Sequence, residues 1–246
     1  MGKGRTLVAT AVATGSESSD GIRPEEYARW RETYLGALTE RTEAGAIFQL
    51  AGDLRARRVL DLGCGDGTYS IAASQRGAVV TGLDISEAML EAARRRAAAL
   101  SASVEWCRAS AESVPYDSET FDIVLAVTLL CFVREPLQVI HEVHRVLRPS
   151  GVFVIGELGR YSSWAVRRRA RGWLGSSRWK EAHFWSLREL RRLLENVGFR
   201  VTARRGCVYY LPSGAAAHVM GEHEHAFAFL GQLGAAFLVV RAEKSR

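Results

Sequence analysis

Val59-Leu60-Asp61-Leu62-Gly63-Cys64-Gly65-Asp66-Gly67 is the stretch that decides the fold of this chain. Its first four residues are mostly apolar and predict a buried strand, and its three glycines predict a sharp turn. Thr68 follows the turn and is expected to cap a helix that begins there. Glycine has no Cβ to keep a ligand away from the backbone, and a helix N-terminus presents unpaired N–H groups. The stretch therefore predicts a strand, a turn and a helix that together bind a polar cofactor.

Strands and helices alternate from Arg58 onward. Apolar runs, several of them β-branched, predict strands at 59–62, 78–83, 104–107, 121–127, 152–156, 199–207 and 235–241. Helical spacing predicts helices at 24–51, 68–76, 87–100 (capped by Ser86), 136–147, 187–196 and 215–230. Repeated β-α-β units predict a doubly wound, mostly parallel seven-stranded α/β sheet of Rossmann-like type. Ligands of such sheets bind at the carboxyl ends of the strands.

The chain is expected to form one domain over residues 23–246, with residues 1–22 as a flexible tail. A core spans 58–157, and the regular alternation breaks after Glu157 in a basic, aromatic segment at 160–185. Residues 160–205 contain thirteen Lys and Arg against three Glu, so the net charge of +6 is concentrated there. We expect this segment to cover the sheet rim and to contact the substrate.

Composition excludes several classes of protein. The 246 residues are 48% apolar, which is enough for one sizeable core, but the longest apolar run, 123–133, is too short to span a bilayer. No membrane insertion is expected. Four scattered cysteines without a CxxC pattern predict reduced thiols in the cytoplasm rather than disulfides or a zinc site. The cluster His218, Glu222, His223, Glu224 and His225 does not share one helix face, so no metal is expected.

The glycine turn has two interpretations. The dinucleotide pattern GxGxxG would need a third glycine where Thr68 stands, so the match is to GxGxG. Asp84 ends the next strand, 21 residues after Gly63, and an acid at that place can accept both ribose hydroxyls of NAD or of another adenosine cofactor.

Five motifs distinguish between these cofactors. They are Val-Leu-Asp-Leu-Gly-Cys-Gly-Asp-Gly (59–67), Gly-Leu-Asp-Ile-Ser (82–86), Ala-Glu-Ser-Val-Pro-Tyr (111–116), Phe-Asp-Ile-Val (121–124) and Glu-Val-His-Arg-Val-Leu-Arg-Pro-Ser-Gly (142–151). In this order and spacing, the chain resembles the class I S-adenosylmethionine (SAM) dependent methyltransferases. The similarity is greatest to the small-molecule group that includes ubiquinone- and biotin-pathway enzymes. The predicted helix 24–51 resembles, over 26–43, the lid helix found in part of this group, through Tyr27, Trp30, Gly36 and Glu43. The last ninety residues resemble the family only in outline.

The resemblance implies a role for each residue of the cofactor site. Gly63, Cys64 and Gly65 approach the methionine part of SAM, Asp61 orients its ammonium group, and Asp84 accepts the ribose hydroxyls. Ile85 packs on adenine, Ala111 offers its N–H to that ring, and Ala126 and Val127 place carbonyls beside the sulfonium. Ser110 stands where the family often has Asp, so Glu112 and the backbone are expected to contribute more to adenine recognition. Trp30 and Met89 complete the set of candidate cofactor residues. Packing within the helix would account for Trp30 equally well.

Methyl transfer requires alignment of the acceptor with the sulfonium and exclusion of water, so proximity supplies most of the rate. A general base is needed only for a hydroxyl, a phenol or a protonated amine. His183, at the start of the helix after the basic segment, and Glu157, at a strand tip, are the candidates.

The favoured partner is a small molecule. The Trp and Tyr residues favour a flat or apolar acceptor, and the basic segment favours an acidic group on it or an acyl carrier partner. One alternative is an RNA methyltransferase that uses 160–205, although the chain has no RNA-binding module or known nucleobase-methylating motif. A non-catalytic SAM-binding protein is another. The sequence does not set the oligomeric state.

Overall fold

The computed structural model describes residues 24–175 and 177–245. The side chains of Ser177, Arg178, Glu222, His225 and Ala228 lie outside this description, as does the predicted tail 1–22. Two members of the His/Glu cluster are therefore not described.

A seven-stranded sheet forms the centre of the molecule. The strands are β1 (Arg58–Leu62), β2 (Val79–Asp84), β3 (Val104–Arg108), β4 (Phe121–Val127), β5 (Leu147–Leu158), β6 (Phe199–Cys207) and β7 (Phe237–Lys244). Their order is β3-β2-β1-β4-β5-β7-β6. The first five strands pair in parallel, whereas β7 runs antiparallel to both β5 and β6. The predicted fold class is confirmed.

Helices cover both faces of this sheet. They are α1 (Pro24–Glu32), α2 (Tyr34–Ala51), α3 (Thr68–Ser74), α4 (Glu87–Ala99), α5 (Pro136–Val146), α6 (Ser163–Trp173), α7 (Ser177–Glu181), α8 (Leu187–Glu195) and α9 (Gly214–Met220), followed by a 3₁₀ helix at Gly221–Leu230. None of the helices in the described ranges has the length and apolar character needed to cross a bilayer.

Alternate residues of the central strands separate into two cores. On one face, Leu60 and Val124 pack with residues of α5 and α8, and on the other face Val59 and Leu125 pack with residues of α2 and α3. All residues of β4 except Asp122 are buried. This arrangement is expected of a central strand between two helical layers.

The predicted helix over 24–51 is two helices. Thr33 ends the first and caps the second, since its hydroxyl accepts a hydrogen bond from the N–H of Gly36 at 3.0 Å. A Cβ on Gly36 would overlap the carbonyl of Trp30, so glycine allows the two helices to meet at this close turn.

Three other expectations need correction. Thr68 does not cap α3: the cap position is Gly67, and the Thr68 hydroxyl instead donates to Asp66 at 3.1 Å. The basic segment contains two helices, α6 and α7, that no regular pattern predicted. The predicted helix 215–230 is divided between α9 and the 3₁₀ helix. Ser86 caps α4 as predicted, accepting from the N–H of Met89.

We predict that Gly156→Ala destabilises the protein by about 1–3 kcal/mol, because overpacking strains a well-packed core. A Cβ at this position of β5 would enter the space of Phe237 and Ile47. Gly45→Ala is the matched control: it adds the same methyl group in α2 where nothing lies within 4 Å, and should raise stability by up to about 1 kcal/mol. Urea unfolding of both variants measures the difference, and equal stabilities would contradict the packing described here.

Candidate functional site

Backbone hydrogen bonds attach the glycine turn to the end of β2. The N–H groups of Gly63 and Cys64 both donate to the carbonyl of Leu83, at 2.8 and 2.9 Å. Gly63, Gly65 and Gly67 have φ values of +71°, +54° and +81°, a region that favours glycine. The turn therefore keeps a fixed shape beside β2.

The three glycines of the turn meet different surroundings. A Cβ on Gly63 would lie 2.7 Å from the side chain of Leu129, and one on Gly67 would lie 2.7 Å from Trp106. At Gly65 nothing lies within 4 Å. The absence of a Cβ at Gly63 and Gly67 therefore makes room for the side chains of Leu129 and Trp106, whereas at Gly65 it leaves the backbone accessible to a ligand.

Asp84 lies beside the glycine turn, at the carboxyl end of β2. One of its carboxylate oxygens accepts from the N–H of Gly65 at 2.8 Å, and the other accepts from the N–H of Ser86 at 2.9 Å. Each oxygen keeps a further lone pair for a hydroxyl donor. The next residue, Ile85, is 58% exposed and offers an apolar surface beside the carboxylate.

The predicted adenine contacts form a turn after β3. The hydroxyl of Ser110 accepts from the N–H of Glu112 at 3.2 Å, and the carbonyl of Glu112 accepts from Gln138 at 3.1 Å. Ala111 lies between them and is half-buried. Ser110 therefore supports the local backbone whether or not it also contacts a base.

Asp61 is buried at the end of β1. Its carboxylate accepts from the Ser70 hydroxyl at 2.5 Å. Burial raises the pKa of Asp61 to about 7, although the hydrogen bonds from Ser70 favour the ionised form. The group is therefore a strand-end acid whose charge changes near neutral pH.

Asp66 forms a charge cluster that the sequence analysis did not single out. It pairs with Arg31 of α1 at 2.5 Å and with Arg96 of α4 at 3.2 Å, and both arginines also donate to the hydroxyl of Thr68 at 2.8 Å. Asp66 is 5% exposed, so the cluster joins α1 to the glycine turn in a largely desolvated place. The one feature of the sequence that could have indicated this cluster is the presence of an acid within a glycine-rich turn.

We predict that Asp66→Asn releases α1 from the glycine turn. Removing one partner of a buried ion pair costs about 3 kcal/mol because the remaining charge stays desolvated. Hydrogen–deuterium exchange should accelerate over 24–32 and stay unchanged over 104–108 in β3. Unchanged protection of α1 would show that the cluster does not hold this helix.

A cavity of about 530 Å³ lies beside the first turn of α3, the helix that follows the glycine turn. Its walls come from α1, α2, α6 and α7, and its floor comes from Tyr69 and from Val127, Thr128 and Leu158 at the ends of β4 and β5. Aromatic side chains dominate the walls: Tyr27, Trp30, Phe132, Trp164 and Trp179. Two predicted cofactor residues, Trp30 and Val127, line this cavity.

Charged side chains enter the same cavity from opposite sides. Helix α6 contributes Arg167, Arg168 and Arg171, α2 contributes Glu43, and α1 contributes Glu26. The Arg168 guanidinium lies between Trp164 and Trp179, 5.1 and 4.9 Å from their ring centroids. Sequence analysis predicted a basic aromatic segment here, but it did not identify these arginines individually. It named Glu43 only as part of the resemblance to the lid helix, without a role in the reaction.

The two predicted bases lie elsewhere. Glu157 is fully buried: one oxygen accepts from the N–H of Leu130 at 2.6 Å, and burial raises its pKa to about 8. The imidazole of His183 lies 3.5 Å from Arg160, and burial lowers its pKa. Among the described residues, those that line the cavity include neither. Both roles stay predictions.

The described part of the chain contains no group of three or more His, Cys, Asp and Glu arranged to hold a metal ion. The ring of His218 stacks on Tyr34 with centroids 3.6 Å apart. This stacking gives His218 a packing role.

These features define a class of protein. An open glycine turn backed by a strand-end acid, on a parallel sheet with an antiparallel last strand, is a nucleoside-cofactor site of the doubly wound α/β type.

Comparisons with known proteins narrow this class. The model of a methyltransferase domain family matches residues 60–155. An uncharacterised protein of Mycobacterium tuberculosis is 32% identical over 228 residues, which cover 92% of this chain and 74% of that protein. A ubiquinone biosynthesis O-methyltransferase of Histophilus somni is 32% identical over 126 residues, 49% of this chain and 53% of that protein. The crystal structure of a SAM-dependent methyltransferase of Thermotoga maritima, described as a possible histamine N-methyltransferase, is similar with a TM-score of 0.68 and 25% identity, covering 90% of this chain and 95% of that one.

This chain belongs to the class I SAM-dependent methyltransferases, and its cofactor is SAM. The residues at the carboxyl ends of β1 and β2 fit that cofactor. Gly65 leaves room for a ligand against the backbone, Asp84 has lone pairs for two hydroxyls, and Ile85 exposes an apolar face.

Proposed function

We propose that this enzyme methylates a small, flat acceptor that carries an acidic group. The observation that supports this is the cavity of about 530 Å³, aromatic in its walls and lined by three arginines, beside the ends of β4 and β5. Aromatic walls favour planar ligands, and guanidinium groups favour carboxylates.

The rim residues bind the cofactor in this proposal. The backbone at Gly63, Cys64 and Gly65 receives the methionine part, and Asp61 faces its ammonium group. Asp84 accepts the ribose hydroxyls while it still holds the N–H groups of Gly65 and Ser86. Ile85 and Met89 pack against adenine, and the turn Ser110–Glu112 supplies polar contacts to that ring.

Bound SAM supplies a methyl group that is already activated by the positive sulfur. The chain's own residues bring the acceptor to it and exclude water. Val127 ends β4 at the cavity floor, directly after Ala126, and Trp30 extends from α1 over the same space. The pairing of Arg31 with Asp66 keeps α1 in place above the turn. Holding two reactants in line is worth several orders of magnitude in rate.

An aromatic hydroxyl is the acceptor group that we favour. The Histophilus somni relative is named as an O-methyltransferase of ubiquinone biosynthesis, and it matches about half of this chain. The aromatic cavity described here suits a ring of that kind. The acidic group of the acceptor would lie toward Arg167 and Arg171 of α6.

We predict that the protein transfers label from radioactive SAM to a small molecule in a metabolite extract, and that Asp84→Ala abolishes this transfer. Losing both ribose contacts should weaken SAM binding at least about 100-fold, as two charge-assisted hydrogen bonds would. Isothermal titration calorimetry measures that affinity.

Ser86→Ala is the control for this experiment, since it removes the cap of α4 but leaves the carboxylate. It should lower stability by about 1 kcal/mol and keep SAM affinity. Label in RNA instead of a small molecule would support the nucleic-acid alternative, and SAM binding without any transfer would support a binding protein.

We predict that Arg171→Gln weakens binding of protocatechuate, a catechol with a carboxylate, about tenfold, because one charge-assisted contact is lost. Binding of catechol, which lacks the carboxylate, should not change. Tryptophan fluorescence reports both affinities, since Trp30, Trp164 and Trp179 line the cavity. Arg169→Gln is the matched control on the same helix, because that guanidinium lies over Phe184 at 4.8 Å. An equal loss for both ligands would contradict the carboxylate contact.

A further inference from the structure

Glu43 occupies an unusual place on α2. It stands four residues after Thr39 and four before Ile47, which are 2% and 0% exposed, so it lies on the inward-facing stripe of the helix, where it is half-buried. Its side chain lines the cavity opposite the arginines of α6. An acidic residue on the inward face of a helix requires an explanation because an ionised carboxylate is costly to desolvate.

Structural pairing with Arg168 does not account for Glu43. The two side chains attract each other electrostatically. The Arg168 guanidinium, however, lies over the rings of Trp164 and Trp179, at 5.1 and 4.9 Å, and it acts on Glu43 through its charge and not through a hydrogen bond. A buried carboxylate kept only as a counter-ion is normally held by hydrogen bonds to its partner. Glu43 instead faces a space in which a ligand can supply the donor.

We propose that Glu43 is a catalytic residue that accepts the proton of the acceptor's nucleophilic hydroxyl group. The inference rests on the proposed function, since it concerns the acceptor of that same reaction. In the step, the hydroxyl oxygen forms a bond to the methyl carbon as the sulfur–methyl bond breaks and its electron pair returns to sulfur. The hydroxyl proton moves to the Glu43 carboxylate and leaves later to solvent, so that atoms and charge balance.

The environment of Glu43 suits proton acceptance near neutral pH. Burial raises its pKa to about 8, and Arg168 opposes that rise. A base performs best when its pKa lies near the working pH. The titratable and charged groups that act on Glu43 from the surrounding elements are Tyr27 of α1, Glu40 of α2, Tyr69 of α3, Arg168 of α6, Cys207 of β6, Tyr210 after β6 and Glu224 of the 3₁₀ helix.

Catechol binding to the complex with S-adenosylhomocysteine tests this role without turnover. An ionised Glu43 accepts a charge-assisted hydrogen bond from the catechol hydroxyl, whereas a protonated Glu43 offers only the weaker neutral acceptor. Catechol affinity of the parent protein is therefore expected to rise with pH through an ionisation near about 8. Glu43→Gln, which keeps the size of the side chain, should bind catechol with no such dependence.

Kinetics supply the second measurement, with the acceptor that the label-transfer experiment identifies. Glu43→Gln should lower kcat on the order of 10²–10⁴-fold, the usual contribution of a positioned base, and should remove the rising limb of the pH profile. SAM affinity and Tm should remain at parental values. Glu40→Gln is the matched control one turn earlier on α2: its side chain does not line the cavity, so the variant should keep kcat and a rising limb. That limb should move to lower pH, because the negative charge of Glu40 raises the pKa of Glu43.

Two results would overturn the proposal: pH-independent catechol binding by the parent protein, including no binding at all, or an unchanged kcat and pH profile in Glu43→Gln. If the parent protein still binds SAM and labels a small molecule in that case, only the role of Glu43 is wrong. If it fails to bind SAM, the proposed function fails as well.

Discussion

The connection between the glycine turn and the end of β2 is the constraint on which the site depends. Two N–H groups of the turn share the carbonyl of Leu83, and a third, from Gly65, reaches the carboxylate of Asp84. These bonds satisfy backbone groups that would otherwise be unpaired near a strand end. They also hold the acid proposed for ribose binding against the turn proposed for the methionine part. One short set of hydrogen bonds therefore fixes the two halves of a cofactor site relative to each other before any ligand binds.

Three acids that are buried or half-buried near the carboxyl ends of the strands show the cost of this arrangement in folding stability. Burial raises the pKa of Asp61 to about 7 and those of Glu43 and Glu157 to about 8. The folded protein thus holds protons on these groups that the unfolded chain would release, so their ionisation lowers stability as pH rises from about 4 to about 8. Arginines reduce this cost only locally, as Arg168 does for Glu43. Acids kept in such places despite their cost are candidates for chemical roles.

Sequence patterns predicted the sheet far better than the cavity. The bounds predicted for β4 and β6 agree with the structure, because a continuous apolar run and a regular alternation are local properties. The break at Thr33 depends on a close approach between the Trp30 carbonyl and Gly36, which no helical spacing reveals. Thr68 was predicted to cap α3, but two arginines distant in sequence and Asp66 engage its hydroxyl instead. Glu43 was named from the sequence only as part of the lid-helix resemblance, because its position opposite the arginines of α6 depends on how the two helices pack.

The difference between the sheet and the cavity also separates the residues proposed to bind the cofactor from those proposed to contact the acceptor. The matched methyltransferase domain covers 60–155, which contains the glycine turn, Asp84 and the ends of β1 to β4. Helices α1 and α2 precede that range, and α6 and α7 follow it, yet these four helices form most of the cavity wall. A doubly wound sheet can vary such flanking elements without disturbing its rim, because the cofactor contacts belong to the strand ends. Acceptor choice should therefore follow the flanking helices rather than the core. A relative that aligns across both flanks, as the Mycobacterium tuberculosis protein does over 92% of this chain, bears more on the acceptor than one that matches the core alone.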